Sequence, residues 1–170
     1  MTPATLLLVS TLAAHEAPAP AHELSLQVRS GLTVYLSDAR TQGGVGGGVG
    51  LRDTVHGRWL LQGDVDALTG LGAVLAVRLS AGVQRRGEWS PAALLSVTGL
   101  FGGQLSFLLP ERLESVRGPA LGVGVTLAPA RFRLGRARVS LLEVGVGVGA
   151  ERPGLGLVYG LTLLEVGAAL

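Results

Sequence analysis

The chain has 170 residues, of which 48% are hydrophobic, 15% charged and 4% aromatic, and its formal net charge is +2. This hydrophobic content excludes a disordered chain, and the lack of Cys and Lys excludes disulfide scaffolds, cysteine-ligated zinc sites and lysine-based chemistry. The longest charge-free stretch, 89–110, contains three glycines and two prolines. Such a stretch argues against a bundle of membrane helices.

The N-terminal segment resembles a secretory signal peptide. An apolar run over residues 4–14 is followed by two small-residue cleavage sequences, Ala17-Pro18-Ala19 and Ala19-Pro20-Ala21. The apolar run is too short to cross a bilayer as a helix. We therefore expect residues 1–21 to be removed before His22 and residues 22–170 to form the exported domain. The alternative is a flexible tail on a soluble protein.

From Leu24 onward, apolar and polar residues alternate with period two, which predicts β-strands. Eight such runs follow one another, at 24–36, 44–52, 59–67, 73–84, 93–102, 121–127, 136–150 and 154–170. Turn-forming segments separate them at 38–43, 53–57, 68–71, 85–90, 103–118, 129–135 and 151–153. An even number of strands brings both chain ends to the same side, and the longest connection, 103–118, carries most of the loop charge.

The last two strands change phase within themselves, at Leu141-Leu142 and at Leu163-Leu164. A β-bulge near Leu141 would return the apolar residues to one face. Both strands contain the sequence Leu-Leu-Glu-Val-Gly. A duplicated hairpin and chance similarity between amphipathic strands both explain this repeat.

The polar face of the strands is dominated by Gly, Ser, Thr and Gln, with few charges per strand. This face is too small and too sparsely charged for the water-exposed surface of eight strands, but it fits the interior of a narrow barrel. The fold class predicted is therefore all-β, an eight-stranded antiparallel up-and-down transmembrane β-barrel with its apolar face toward lipid. Glycines 44, 46, 48 and 50 would leave room for long side chains such as Arg29, Arg78 and Tyr35.

The charges predicted to point inward nearly balance. Because a buried charge must be paired and hydrogen-bonded, we expect an ion-pair network that plugs the barrel, and its best candidates are Arg29, Arg78, Asp64, Asp66, Glu143 and Glu165. Three further arginines, Arg52, Arg58 and Arg138, stand near strand ends and fit either the network or the solvated rims.

Few residues offer chemistry. His15 lies in the presumed signal, His22 at the mature terminus and His56 in a turn, so a catalytic triad is not expected. The glycine motif at 145–150 precedes no helix, which excludes a dinucleotide site. Asp64 and Asp66 favour a salt bridge over a cation site. No catalytic residue, metal or cofactor is predicted.

The basic balance of the chain does not predict a nucleic-acid partner, because the net charge is only +2 despite a pI near 9.9. One basic cluster stands out at the sixth connection, formed by Arg131 and Arg133 within it and Arg136 and Arg138 just after it. We expect this cluster to lie in the periplasm near anionic headgroups.

An export signal followed by eight alternating strands from Leu24 to Leu170 resembles the small outer-membrane β-barrel proteins of Gram-negative bacteria. The resemblance implies a monomer in the outer membrane, surrounded by its lipids and inserted by the barrel assembly machinery. It also implies a structural, adhesive or envelope-integrity role, with lipid-modifying enzymes in some branches. The residues available for aromatic girdles are Tyr35, Trp59, Trp89, Phe101, Phe107, Phe132 and Tyr159.

The sequence thus predicts a non-enzymatic outer-membrane barrel with a plugged polar lumen. The main alternative is a soluble exported barrel that binds an apolar ligand, with the faces reversed and Val34, Leu75 and Val123 lining a cavity. A lipid-modifying enzyme, a narrow channel and a protein with a single membrane helix at 89–110 are less favoured.

Overall fold

The computed structural model describes residues 21–70, 72–106, 118–150 and 155–170, and these form β-strands joined by turns. The presumed signal peptide, apart from Ala21, lies outside the described residues, as do Phe107 and the charged part of the longest connection. The strands are β1 His22–Leu36, β2 Arg40–Val55, β3 Trp59–Gly70, β4 Val74–Gln84, β5 Ala92–Gly102, β6 Gln104–Ser106, β7 Ala120–Ala128, β8 Ala130–Leu134, β9 Ala137–Ala150 and β10 Leu155–Ala169.

The sheet closes on itself as an antiparallel barrel. Going around it, β1 is followed by β2, β3, β4, β5, β7, β9 and β10, and β10 pairs again with β1. Strand β8 continues β7 along β9 after Pro129, and the short β6 pairs only with the first residues of β2. The barrel wall therefore has eight strands, as the sequence predicts, with the closed form that hydrocarbon requires.

The two ends of the barrel are distinguished by their turns. At the lower rim lie His22, Ala169 and the turns after β2, β4 and β8, and at the upper rim lie the opposite ends of the wall strands. Among the described residues, no helix is long and apolar enough to cross a membrane. The stretch considered for a membrane helix, 89–110, instead contributes β5 and β6.

Several strands extend into segments that the sequence assigns to connections. The clearest case is 129–135, which contains β8 and leaves only Gly135-Arg136 as a turn. The prediction of a connection is wrong there, because Arg131 and Arg133 alternate with Phe132 and Leu134 as in a strand. After β2, a tight turn is closed by the bond from the Arg58 amide to the Val55 carbonyl. His56 and Gly57 adopt the left-handed φ of 51° and 66° that hairpin turns favour.

Two neighbouring strands, β9 and β10, change phase at the same height. Leu163 and Leu164 of β10 both face outward, as do Leu141 and Leu142 of β9, and Leu141 pairs with both Leu164 and Ala130. The β1–β10 register shifts between Ser30 and Gly31, and Leu142 has a φ of 66°. The irregularity predicted near Leu141 is present, and it turns the acidic side chains that follow the leucine pairs toward the interior.

The apolar face points outward. Leucine and valine side chains along every wall strand are exposed, up to 75% at Leu155. Leu79 is 64% exposed, whereas Arg78 beside it is 9% exposed. Leu75 and Val123, which a ligand-binding soluble barrel would place in a cavity, lie on the exterior at 46% and 49% exposure. The orientation of the faces is thus the one predicted for a lipid environment.

The interior contains two apolar layers that the sequence reasoning missed. The upper layer is built on Tyr35, Leu68, Val74, Ala76, Leu100, Ala120 and Val158. The lower layer contains Leu60, Ala92, Leu94 and Ala128. These residues continue the inward phase of their strands toward the two ends. On β3, Asp64 and Asp66 therefore lie between Leu60 of the lower layer and Leu68 of the upper layer, and the lumen is not uniformly polar.

Candidate functional site: an enclosed charge layer

The centre of the barrel is organised around the carboxylate of Asp64, which is 1% exposed. Arg78, its partner in the β3–β4 register, donates to Oδ2 from Nε at 3.1 Å and from Nη2 at 2.9 Å. Arg29 reaches the same oxygen from β1 at 3.0 Å. Two amides complete the set, Gln27 at 2.8 Å and Gln62 at 3.0 and 3.1 Å. One carboxylate thus ties together three strands.

Arg29 connects this centre to its neighbours. Its Nε lies 3.5 Å from Oδ1 of Asp66, and Nη2 donates to the hydroxyl of Thr162 on β10. Asp66 stands two residues after Asp64 on β3, so both carboxylates point inward from one strand. Both carboxylates form ion pairs with arginines. No group of three His, Cys, Asp or Glu side chains in the described part of the chain could hold a metal ion.

Two further ion pairs lie in the same layer. Arg52 pairs with Glu165 and also donates to Oε1 of Gln62 from Nε at 2.9 Å. Arg131 donates to Oε1 of Glu143 at 2.7 Å, and that oxygen also accepts from Ser140 at 3.1 Å. Both acidic partners are placed inward by the phase change in β9 and β10.

The enclosed charge layer is formed by equal numbers of opposite charges: Arg29, Arg52, Arg78 and Arg131 with Asp64, Asp66, Glu143 and Glu165. All eight side chains are buried. Balanced, mutually paired charges are what a low-dielectric interior tolerates. The six residues proposed from the sequence all lie in this layer. From the sequence, Arg52 fitted either the network or a solvated rim, and Arg131 was expected in the connection 129–135.

The glycines of β2 make room for carboxylates. A methyl group at Gly48 would overlap the Asp66 carboxylate, and one at Gly50 would overlap Asp64. Tyr35 is accommodated elsewhere, since a methyl group at Gly149 or Gly156 would collide with its ring. The sequence predicted that the β2 glycines make room for Arg29, Arg78 and Tyr35. The side chains that lie against Gly48 and Gly50 are instead those of Asp66 and Asp64.

The lumen contains a small cavity beside the charge layer. It is lined by Asp66, Arg78, Ser96 and Thr98 among others and has a volume of about 30 Å³. Nearby hydroxyls also pair with each other: Ser96 lies 2.9 Å from Ser80 and 3.0 Å from Thr126.

At the lower rim, some of the remaining arginines form ion pairs and others are exposed. Glu23 on β1 accepts from Arg133 at 2.8 Å and from Nε of Arg138 at 2.8 Å. Of the basic cluster predicted from the sequence, Arg131 is buried in the charge layer, Arg133 and Arg138 share Glu23, and Arg136 is exposed. Arg58 is exposed at the β2–β3 turn and lies outside the charge layer.

No constellation suited to catalysis was found in the described part of the chain. His56 is exposed in its turn at the lower rim, and His22 lies 2.9 Å from Asp53 at the same rim. Neither histidine stands beside a buried serine nucleophile. What the buried residues can do is hold the barrel wall together across its interior.

Comparisons with known proteins agree with the fold. No protein-family model matches the sequence, and no curated protein sequence matches it. Among solved structures, the chain is similar to Neisserial surface protein A (NspA), with 10% identity, a TM-score of 0.58, and coverage of 86% of this chain and 97% of that one. It also matches Ail, the attachment invasion locus protein of Yersinia pestis, solved with the heparin analogue sucrose octasulfate, at 16% identity, a TM-score of 0.47, and coverage of 89% and 100%. The chain therefore has the fold of a small eight-stranded outer-membrane β-barrel.

Proposed function

We propose that the chain is a non-enzymatic integral protein of the Gram-negative outer membrane, with a plugged lumen and a structural or surface-interaction role in the envelope. The observation that carries this proposal is the inversion of faces. Leucine and valine cover the exterior, while paired arginines and carboxylates lie inside.

The exterior supports placement in a bilayer. A soluble protein rarely exposes a continuous apolar surface of this extent, and hydrocarbon removes the penalty for exposing it. Aromatic side chains stand near both ends of the apolar surface, with Trp59 and Trp89 toward the lower rim and Phe101 and Tyr159 toward the upper one. Membrane barrels place such residues at the two interfaces. Tyr35 is not part of a girdle, because it is buried in the upper apolar layer.

The interior supports a plug. An ion crossing the lumen would have to pass two apolar layers and displace charged groups that already satisfy one another. Eight strands leave an interior that side chains can fill, and the cavity at the charge layer has a volume of about 30 Å³. We propose that the barrel does not conduct.

The cellular setting follows from membrane placement. The signal peptide at residues 1–21 would deliver the chain to the periplasm, and the barrel assembly machinery would insert residues 22–170 into the outer membrane. Because the barrel closure pairs the wall strands with one another, no second copy is needed to complete the sheet, so we propose a monomer.

Gel mobility of detergent-extracted protein tests the membrane barrel. Folded membrane barrels resist unfolding by the gel detergent until heated, so unheated and boiled samples should migrate differently and the protein should require detergent to stay soluble. Solubility in plain buffer with one unchanged band would contradict membrane placement.

Conductance across a planar bilayer tests the plug separately. Wild-type protein should give no large stable channels after insertion has been established by heat-dependent mobility. Channels of constant size in every insertion would overturn the plug while leaving the membrane barrel intact, and would favour the narrow-channel alternative.

A further inference from the structure

A cleft at the lower rim, outside the charge layer, is lined by three exposed arginines. Arg58 comes from the β2–β3 turn, and Arg85 and Arg86 come from the turn after β4. The cleft has a volume of about 690 Å³, and its other lining residues are Val83, Gln84, Pro91, Ala92 and Ala93. It thus combines concentrated positive charge with apolar side chains.

Backbone hydrogen bonds hold these arginines next to each other. The Gln84 amide donates to the Arg58 carbonyl at 2.8 Å, and the Arg85 amide donates to the Pro91 carbonyl at 2.9 Å. These bonds fix both turns at the foot of the β3–β4 pair. The arginines are therefore presented on a defined scaffold.

The three guanidinium groups have no carboxylate partner among the described residues. The nearest acidic residue along the chain, Glu88, does not line the cleft and forms no ion pair within the described part of the chain. Arg85 lies over the ring of Trp89 at 5.3 Å, an arrangement that orients a guanidinium while leaving its donors available. The contrast with Arg133 and Arg138, both held by Glu23, shows that pairing was available at this rim.

The position of the cleft indicates what fills it. Trp89 is 50% exposed, and Trp59, paired in register with Val83, is 57% exposed. Indoles mark the boundary between hydrocarbon and headgroups, so the arginines lie at the level of phosphates. The exposed Val83 and Ala93 continue from the cleft onto the apolar exterior, in the direction that an acyl chain takes.

We propose that this cleft binds one anionic phospholipid of the periplasmic leaflet, with its phosphate on Arg58, Arg85 and Arg86 and an acyl chain along Val83 and Ala93. The inference rests on the proposed membrane placement, since the two parts of the site match a lipid only at a bilayer boundary. Arginine suits the phosphate because its planar group donates several hydrogen bonds at once.

The experiment uses full-length barrel in detergent, checked for heat-dependent mobility and then titrated with phosphatidylglycerol or phosphatidylcholine in native mass spectrometry. Wild type should bind one phosphatidylglycerol in preference to phosphatidylcholine. The triple variant Arg58→Gln, Arg85→Gln, Arg86→Gln should bind phosphatidylglycerol about a hundredfold more weakly, since each arginine near an anionic lipid contributes roughly a factor of five. The control Arg136→Gln removes an exposed arginine of the same rim outside the cleft and should bind like wild type.

Five results would overturn the lipid site. Equal binding by wild type and the triple variant, or equal loss in Arg136→Gln, would show that no defined site exists. Displacement of the lipid by inorganic phosphate at matching concentration would show that the acyl chain contributes nothing. A barrel that folds and shifts on heating but binds no phosphatidylglycerol would contradict this inference alone. A chain that needs no detergent would contradict the proposed function and the lipid site together.

Discussion

Two groups of arginines in this barrel lie in different environments. The four in the enclosed charge layer are buried and each meets a carboxylate, whereas the three in the lower-rim cleft are exposed and meet none among the described residues. The same guanidinium is therefore an internal cross-link in one region and an available binding group in the other.

The difference follows from what water can supply. At the rim, solvent screens a charge, so leaving an arginine unpaired costs little. In the interior, removing a guanidinium from water is expensive unless hydrogen bonds and an opposite charge replace the lost hydration. Pairing is thus enforced in the charge layer and optional in the cleft. Substitutions in the two regions should have very different effects on stability.

The largest effect is expected for Asp64→Asn. This change keeps the size of the side chain but removes the charge that Arg29 and Arg78 share, so two buried guanidinium groups lose their main partner. Breaking a buried pair by neutralising one member destabilises a protein by about 3–5 kcal/mol. Denaturant unfolding in lipid vesicles, followed by the fluorescence of Trp59 and Trp89, measures the loss.

The matched control is Asp38→Asn, which removes one negative charge from an exposed turn at the upper rim. It should change the free energy of unfolding by less than about 0.5 kcal/mol. If both variants lose the same stability, the cost comes from net charge and not from the interior partners of Asp64.

A second test separates the cost of an orphaned charge from the value of a pair. Arg52→Met leaves Glu165 without its ion-pair partner and should destabilise the barrel by about 3–5 kcal/mol. Adding Glu165→Met to that variant removes the orphaned charge, so much of the loss should be recovered. The double variant should unfold closer to wild type in the same vesicles. A double variant no more stable than Arg52→Met would show that Arg52 contributes mainly through Gln62.

Most of the fold could be predicted from the sequence because a strand needs only period-two alternation to be recognised. The number of wall strands, the outward apolar face and the phase change near Leu141 all follow from that pattern. A barrel also has a single buried side, so any charged residue in the inward phase must lie in the lumen. This is why Asp64 and Arg78 could be named.

The sequence could not show which charges meet. Arg131 reaches Glu143 because β8 continues β7 past Pro129. This continuation could not be predicted, since the composition of β8 and its flanking residues resembles that of a turn. The two interior apolar layers could not be predicted because Leu60 and Leu100 lie near strand ends on the inward face, which elsewhere along the strands carries polar residues. The cleft arginines come from two turns, and only the register of the β3–β4 pair brings those turns together.

The exterior provides a third environment for an arginine and a test of membrane placement. Leu79→Arg puts a guanidinium on the outer face at the height of the charge layer, where hydrocarbon surrounds it and no carboxylate is near. An arginine at the bilayer midplane of a barrel costs about 2–4 kcal/mol. Unfolding in vesicles measures this loss.

The control for Leu79→Arg is the same substitution nearer the membrane boundary. Leu134→Arg makes the same change at an equally exposed residue beside the lower-rim turn, where the cost should be no more than about 1 kcal/mol because the side chain reaches water. Equal costs at the two positions would mean that the apolar exterior does not face a bilayer with the proposed orientation.

The smallest effect is expected for Arg86→Gln, in the lower-rim cleft. Arg86 is exposed and has no ion-pair partner among the described residues, so its loss should change the free energy of unfolding by less than about 0.5 kcal/mol in vesicles of neutral phosphatidylcholine. The comparison with Asp64→Asn is then direct, because both variants remove one charge. A loss of more than about 1 kcal/mol without anionic lipid would mean that Arg86 supports the wall as the interior arginines do, and the cleft would then be structural.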